Sequence, residues 1–565
     1  MTKFCVQQDE TMGKYDEFDS SSEKINSEGI SEIDHSVVEN NAEIQQGITE
    51  STEEAALRSD YSVEGEHYDD ALVQVHQPLA GAVNRTQHDK NEEIVSVLDF
   101  GADPTGKKDS TSAFQAAIDA VYARGGGEVY IPPTNGDGSG ENVGYLISDS
   151  VQIKPFVNLR GDGFSSCLRA TRALPNGLLQ LCYHGGIGGR YISNIRLTGN
   201  GSGVGIGTNV DNESVSYQHI YGWTFTAIVV EVFEIGYQFQ GLWHSTISNC
   251  TSSYCRIGLH LWGQNVSLQI SGCHFRRDGH SVDGTYGIFI EPRVYAWSTD
   301  KKKGSRSEAI NIGQETMCIG VQYGLFVMDC LDLQIGIIDF DYILKAGIVI
   351  LNVEGGFNIA GGWIAADSEG KQQVIGVSMP ASAGTQQQKT INGLHFSLEN
   401  RNPDGNNIGV SIGSQLAAYA SIKNCTFTSG WAGVAIFDNT AGINIDKCIF
   451  TSIIYLRNSA NVKISNCTLN GLIDDQKAGH NFYYANTGIP STHGYLDVNL
   501  SAGASSGSAI IPYASVSGLK YGVMILHTDI SDKSDEVYRE GNTITVIRPT
   551  PVGVQTSTLV EYRAV

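Results

Sequence analysis

Residues 420–469 read ASIKNCTFTSGWAGVAIFDNTAGINIDKCIFTSIIYLRNSANVKISNCTL, and the fold is decided there. Ile422-Lys-Asn-Cys425, Ile445-Asp-Lys-Cys448 and Ile464-Ser-Asn-Cys467 repeat one four-residue phrase, and Ile247-Ser-Asn-Cys250 and Ile270-Ser-Gly-Cys273 repeat it upstream. One structural position is being visited many times, which is the mark of a stacked repeat. Taking the last position of the phrase as an anchor, anchors fall at Ile195, Trp223, Cys250, Cys273, Ile338, Gly362, Leu394, Cys425, Cys448 and Cys467, with a weaker rung near Gly313. Before most anchors stands glycine-apolar-any-apolar, as in Gly287-Ile-Phe-Ile, Gly324-Leu-Phe-Val and Gly409-Val-Ser-Ile. Two residues after the anchor there is usually Phe (Phe275, Phe340, Phe396, Phe427, Phe450). Each turn therefore supplies short alternating strands, and alternation fixes which side chains point inward. The spacing predicts an all-β, right-handed parallel β-helix of about eleven rungs over residues 190–471. A propeller would need longer hairpin-linked blades.

Composition agrees. Gly is 65 of 565 residues, about twice the usual share, whereas Pro is 13. The 11 cysteines form no C-x-x-C pair, so they read as small apolar side chains in the reduced state. Lys and Arg number 37 against 61 Asp and Glu, a net charge of −24, which argues against nucleic acid and anionic membrane as partners. No apolar run is long enough for a membrane span, and the first residues lack the apolar core of a signal peptide. Residues 1–93 hold 6 Lys/Arg and 22 Asp/Glu, and Ile30, Val37 and Ile44 recur at heptad spacing, so residues 1–90 are expected to be partly disordered or stalk-like.

The stretch VSVLDFGADPTGKKDSTSAFQAAIDA, followed by GGGEVYIPP, predicts a strand, a Pro/Gly turn and a helix capped by Ser110 or Thr111, with Phe114, Ala117, Ile118 and Val121 as its apolar stripe. It resembles the opening of the pectate-lyase-like parallel β-helices, and the preceding GAVNRTQHDKNEEIVSV is similar to the lead-in of bacteriophage tailspike polysaccharide depolymerases. The resemblance implies a homotrimer on a virion tail, binding and cutting a bacterial capsular or surface polysaccharide, and another phage protein as partner of the N-terminus. Residues 91–189 are then the lead-in and cap, and residues 472–565 a small antiparallel β module that locks a trimer or binds sugar.

The repeat also exposes outward positions. Thr, Ser and Asn dominate the outer rungs, as a solvated β face needs, while the middle rungs carry His274, Arg276, Asp339, Asp341, Trp363 and His395. Asp339 and Asp341, two apart on one strand, have the spacing of a glycosidase carboxyl pair, with Glu231 and Glu234 (placed in a turn after Trp223) and Asp278 as further acids. Elimination on a uronate would instead call on His274, Arg276, Arg293 and Tyr295. Arg277, His280, Trp363, His395 and Trp297 are candidate sugar contacts, and the basic, aromatic loop from Glu291 to Arg306 suits an anionic glycan. The plainer reading of these positions is a solvated face or a subunit contact. Phe289, Phe326 and Val349 form an outward apolar strip that reads as subunit contact. No cofactor or metal is implied by any motif. Hydrolysis is the favoured chemistry, β-elimination the alternative, and a non-catalytic receptor-binding spike the reading from a different class.

Overall fold

The computed structural model describes residues 69–134, 143–183, 190–208, 219–294, 305–380, 389–413, 419–428, 430–438, 442–470, 473–476, 481–484 and 486–487, and six strands between 493 and 564. It divides into two units, residues 1–87 and 88–565. In the first, Gln74–His76 pairs antiparallel with Asn84–Thr86. The heptad positions Ile30, Val37 and Ile44 lie outside the described residues.

The second unit is a parallel coil. One turn runs Tyr323–Val327, Leu333–Ile335, Ile338–Ile343, and the next turn repeats it directly above. The glycine-led strands stack into a face of thirteen strands. It begins with Val151–Ile153, so the ladder already runs through part of the segment expected to be only a lead-in. Below it, α1 (Thr111–Ala123) buries Ala113, Phe114, Ala117, Ile118 and Val121. Ser110 stands at the helix N-cap position, but its hydroxyl accepts the Asp103 N–H at 2.9 Å.

The cysteine phrase marks a corner. The residue before the anchor has left-handed backbone: Asn249 at φ 52°, Gly272 at 61°, Asn424 at 51°, Lys447 at 54° and Asn466 at 55°. Gly and Asn tolerate that conformation best, which is why they recur there. The cysteine that follows turns inward, and its Sγ–H donates to the carbonyl two residues back, at 3.3 Å from Cys250 to Ser248 and 3.1 Å from Cys425 to Lys423. Cys250, Cys273, Cys425, Cys448 and Cys467 are all buried and unpaired. Elsewhere in the core, burial pushes the Cys330 thiol up to about 12, so it stays protonated.

Two rungs depart from the expected alignment. Val229 pairs with Thr251, so the rung partner of Cys250 is Ile228 and not Trp223. Likewise Thr316, not Gly313, pairs with Ile338. The left-handed corner residues there are Ala227 and Glu315, neither of which signals that conformation in sequence. Outward positions shift accordingly to Val229 and Glu231 in one rung, and to Met317 and Ile319 in the other.

A second constraint joins glycine to phenylalanine. A Cβ on Gly324 would lie 2.5 Å from Phe340 Cδ2, one on Gly409 would lie 2.4 Å from Phe427 Cδ1, and one on Gly433 would lie 2.4 Å from Phe450 Cδ1. The Phe ring occupies the space the glycine leaves, and the rings then stack on one another, Phe396 on Phe427 at 4.8 Å and Phe427 on Phe450 at 4.6 Å.

Beyond the coil lie two antiparallel three-stranded sheets. One orders His493–Leu500, Thr556–Ala564 and Tyr521–Ile525; the other orders Ser506–Ile510, Thr543–Ile547 and Glu536–Glu540. The expected antiparallel module is present, with strands 493–500 and 536–540 added to the four read from sequence.

The interlock gives a stability cycle. Phe340→Ala is expected to lose about 3–5 kcal/mol, and Gly324→Ala about 1–3 kcal/mol by overpacking. The double variant should lose less than the sum, because removing the ring frees the space the new methyl needs. Denaturant unfolding of the four proteins measures this; strict additivity would mean that the two positions do not share the space.

Candidate functional site

Seven strands of one face position the candidate side chains: β1 (Trp223–Glu231), β2 (Thr251–Ser253), β3 (His274–Arg276), β4 (Thr316–Ile319), β5 (Ile338–Ile343), β6 (Gly362–Ala366) and β7 (Leu394–Ser397). In-register pairing aligns Thr251, His274, Met317, Asp339, Trp363 and His395 in one outward column. Glu231, Ser253, Arg276, Ile319 and Asp341 form the neighbouring column. Adjacent strands are ~4.8 Å apart, so His274 to His395 spans ~19 Å along the coil axis. The sequence-derived set of His274, Arg276, Asp339, Asp341, Trp363 and His395 is thus gathered on one surface.

The side chains differ in surroundings. Asp339 is half-buried, and its carboxyl is raised above the ordinary carboxylate value, first by desolvation and then by the nearby Asp341 charge, against a lowering by His274. Asp341 Oδ1 accepts the Tyr342 N–H at 2.8 Å. Trp363 stacks on His395 with ring centroids 4.6 Å apart and planes at 23°. Thr428 Oγ1 lies 2.8 Å from His395 Nε2, which orients that imidazole and through it the indole. An aromatic plate, an acid kept protonated to higher pH and a second carboxylate two residues on thus lie within two strands. Such a set can hold a sugar ring and transfer a proton to a glycosidic oxygen.

The remaining candidates scatter. Glu231 is not in a turn: it ends β1, and Arg196 and Thr198 hold its carboxylate, Arg196 Nε at 3.0 Å. Glu234 is ion-paired with Arg256. Both carboxylates are committed to neighbouring guanidinium groups. Arg277 donates to the Tyr254 carbonyl, and Asp278 accepts the His280 N–H at 3.1 Å. Arg293 sits past the far end of Tyr286–Glu291, over the Trp262 ring at 4.1 Å and hydrogen-bonded to Gln240, so it is at the opposite edge of the thirteen-stranded face from the Asp341 corner. Tyr295 and Trp297 lie outside the described residues.

Sequence reasoning missed Asp367, Tyr254 and Tyr342. With Arg276, Arg277 and His280 they line a groove of about 390 Å³ at the corner beyond Asp341. Asp367 Oδ2 lies 2.5 Å from His280 Nε2, although 87 residues separate them. Only three-dimensional stacking brings that pair together. The sole sequence signal is an Asp directly after an anchor strand. Among the described residues no three His, Cys, Asp or Glu side chains gather as a metal-binding group.

The chain matches the model of the tailspike protein C-terminal family over residues 492–565, and that of the rhamnogalacturonase A/epimerase, pectate lyase-like family over residues 94–181. It is 42% identical over 499 residues to the tail spike protein of Shigella phage Sf6, covering 88% of this chain and 78% of that protein. The chain belongs to the phage tailspike family. Tailspike protein 3 of bacteriophage CBA120 shares the fold at a TM-score of 0.50 and 12% identity, over 80% of this tailspike and 69% of that chain.

The raised carboxyl of Asp339 sets a stability test. A folded-state pKa above the unfolded one means that stability declines as pH rises from the unfolded value, about 4, through the folded one, and stays reduced above it. Asp339→Asn removes a charge that burial disfavours. It is expected to melt no lower than the parent at pH 7, with any gain vanishing below pH ~4, where both states of the parent are protonated. A variant that melts clearly lower at pH 7 would contradict this account of the site.

Proposed function

We propose that this tailspike binds and depolymerises a bacterial capsular or surface polysaccharide during adsorption, by hydrolysis. The carrying observation is the Asp339–Asp341 pair, outward on β5 with the Trp363–His395 stack one strand above. Asp339, favoured in its protonated form, is the general acid toward the leaving oxygen. Asp341 is the base or nucleophile. Their Cβ atoms stand ~6.5–7 Å apart by strand geometry, and side-chain rotation covers both the nucleophilic and the water-mediated separations used by glycosidases. The glycan lies along the column, with Trp363 under one ring and His274 toward the other end.

Charge around the pair supports hydrolysis over elimination. Asp278, Asp339 and Asp341 reach the surface, against Arg276 and Arg277, the second of them tied to the Tyr254 carbonyl, while Asp367 is buried against His280. Elimination needs a cation to neutralise a uronate, and Arg276 is the one guanidinium close to Asp341 in its column. The expectation of an anionic glycan rests on Arg293, which is engaged elsewhere, and on residues 295–304, which are not described. A neutral or weakly charged glycan fits this surface of mixed charge better.

Digestion of host polysaccharide by the full-length protein decides the chemistry. Hydrolysis releases reducing ends without the ultraviolet band of a conjugated unsaturated uronate; growth of that band means elimination. Asp339→Asn and Asp341→Asn should each lower kcat by at least about a hundredfold. Full activity in both would reject the site, and binding without any cleavage by the parent would make the protein a non-catalytic spike.

We also propose that three copies assemble side by side. Phe289 and Phe326 face outward on the thirteen-stranded sheet and pack with Tyr286 and Tyr323 into a half-exposed aromatic patch, whereas Val349, in register with Phe326 and expected in the same strip, is buried. A single copy leaves that patch facing water, which favours an interface. Light scattering is expected to give three times the 60.9 kDa chain mass; a monomer would overturn the assembly.

A further inference from the structure

The corner after the candidate strands carries a column of its own. Val232, Tyr254, Arg277, Gly320 and Tyr342 occupy the same position in successive turns, as their amide bonds to Ser253, Arg276, Ile319 and Asp341 one turn on show for the first four. Gly320 has φ 68°, which glycine adopts freely. Tyr254 and Tyr342 hold φ 57° and 51°, a left-handed backbone that strains an ordinary side chain. Folding gains little in return. Each tyrosine is 52% exposed. Among the described residues, neither ring stacks on another aromatic and neither hydroxyl has a hydrogen-bond partner. Asn or Gly would serve the backbone better at both positions.

A wall stands beside this column. The loop after β3 leans along the coil axis over several turns and is pinned at each. The Gly279 N–H donates to the Gly320 carbonyl at 2.7 Å, Gly284 N–H to Gln322 Oε1 at 2.8 Å, Lys345 Nζ lies 2.9 Å from Asp283, and His280 closes onto Asp367. Asp367 also accepts the Glu369 N–H at 3.0 Å, so both its oxygens are used and the imidazole is fixed. The groove between wall and column has Gly320 in its floor, Tyr342 on one side and Tyr254 on the other, with Ile319 and Leu344 as apolar lining. Arg276 and Asp278 supply donors and acceptors of opposite charge. A mostly apolar hollow with a few converging polar groups suits a small ligand. Two exposed aromatic plates with balanced charge suit a neutral, many-hydroxyl one.

We propose that this groove is a second carbohydrate subsite, taking one neutral sugar that branches from the chain lying along the Asp339 column. The inference rests on the reading of that column as a polysaccharide site, and it makes the substrate a branched polymer. Asp341 belongs to the column whose corner residue is Tyr342, so a branch entering the groove fixes which main-chain linkage faces the carboxyl pair.

The test is saturation-transfer NMR on the full-length protein with the methyl glycosides of glucose, galactose, mannose, rhamnose and N-acetylglucosamine, and with methyl glucuronide as the charged probe. At least one neutral glycoside is expected to show transfer, weakened about tenfold in Tyr342→Asn and in Tyr254→Asn, and unchanged in Tyr419→Asn, which alters an equally exposed left-handed tyrosine that does not line the groove. Asparagine suits the left-handed backbone, so both variants should melt at or above the parent temperature, and either position alone decides the matter. No transfer from any neutral probe, transfer from the glucuronide alone, transfer that survives both tyrosine variants, or transfer lost in Tyr419→Asn would each overturn the subsite. Cleavage that survives Asp339→Asn and Asp341→Asn would instead reject the hydrolytic pair and leave the subsite standing.

Discussion

The structure depends on how closely the backbone passes the core at one corner of each turn. Where a glycine-led strand begins, the chain comes so near the facing strand that a single Cβ would meet a Phe, Cys or Ile side chain, as Gly324 does with Phe340, Gly287 with Cys318 and Gly347 with Ile364. That proximity makes the glycines obligatory, fixes the size of the inward residue two places past the anchor, and keeps successive turns in register. With the inside so constrained, the outward side chains of the same strands are free to vary. The candidate chemistry occupies that freedom: His274, Asp339, Trp363 and His395 stand on a scaffold whose inward neighbours are Phe275, Phe340, Ile364 and Phe396.

The division of labour explains why the carboxyl pair has the environment it has. A parallel ladder places identical strand positions at a fixed small spacing, so a charge on one turn meets a charge or a ring on the next. Asp339 is raised chiefly because it is partly removed from water, and then because Asp341 is its neighbour on the same strand. Glu231 shows the opposite arrangement. It occupies the same column as Asp341, but Arg196 of the turn below neutralises it and the Thr198 hydroxyl donates to it. Equivalent positions on the coil therefore hold either a carboxylate tied to an arginine of the turn below, as at Glu231, or one with an apolar residue below it, as Ile319 lies below Asp341.

How much could be read beforehand follows the same logic. The ladder was legible wherever the left-handed corner used Asn or Gly, because those residues announce the conformation. It lost register at Ile228 and Thr316, five and three residues past the expected anchors Trp223 and Gly313, where Ala227 and Glu315 take the corner instead. Asp339, Asp341, Trp363 and His395 were legible because strand alternation and a constant rung spacing place them without further information. Asp367 and the two corner tyrosines were not. Their positions depend on a loop that leans across several turns, and nothing local in the sequence encodes the His280–Asp367 contact. Arg293 failed for the complementary reason: proximity in sequence to the basic loop says nothing about which edge of a face it occupies.

The parallel coil has one more consequence, for how the chain reaches its folded state. Every strand of a face bonds to a strand a full turn away, as Leu333–Ile335 does to Phe357–Ile359, and no hairpin in the ladder can form by itself. Growth must proceed by laying each new turn on a finished one, so an incomplete coil always presents an unpaired strand edge. Such an edge captures another unfinished chain as readily as its own next turn, and slow assembly of non-local pairs prolongs the exposure. Changes at the glycine–phenylalanine corner will thus be felt first as chains lost to aggregation during synthesis, before the melting of the finished molecule registers them.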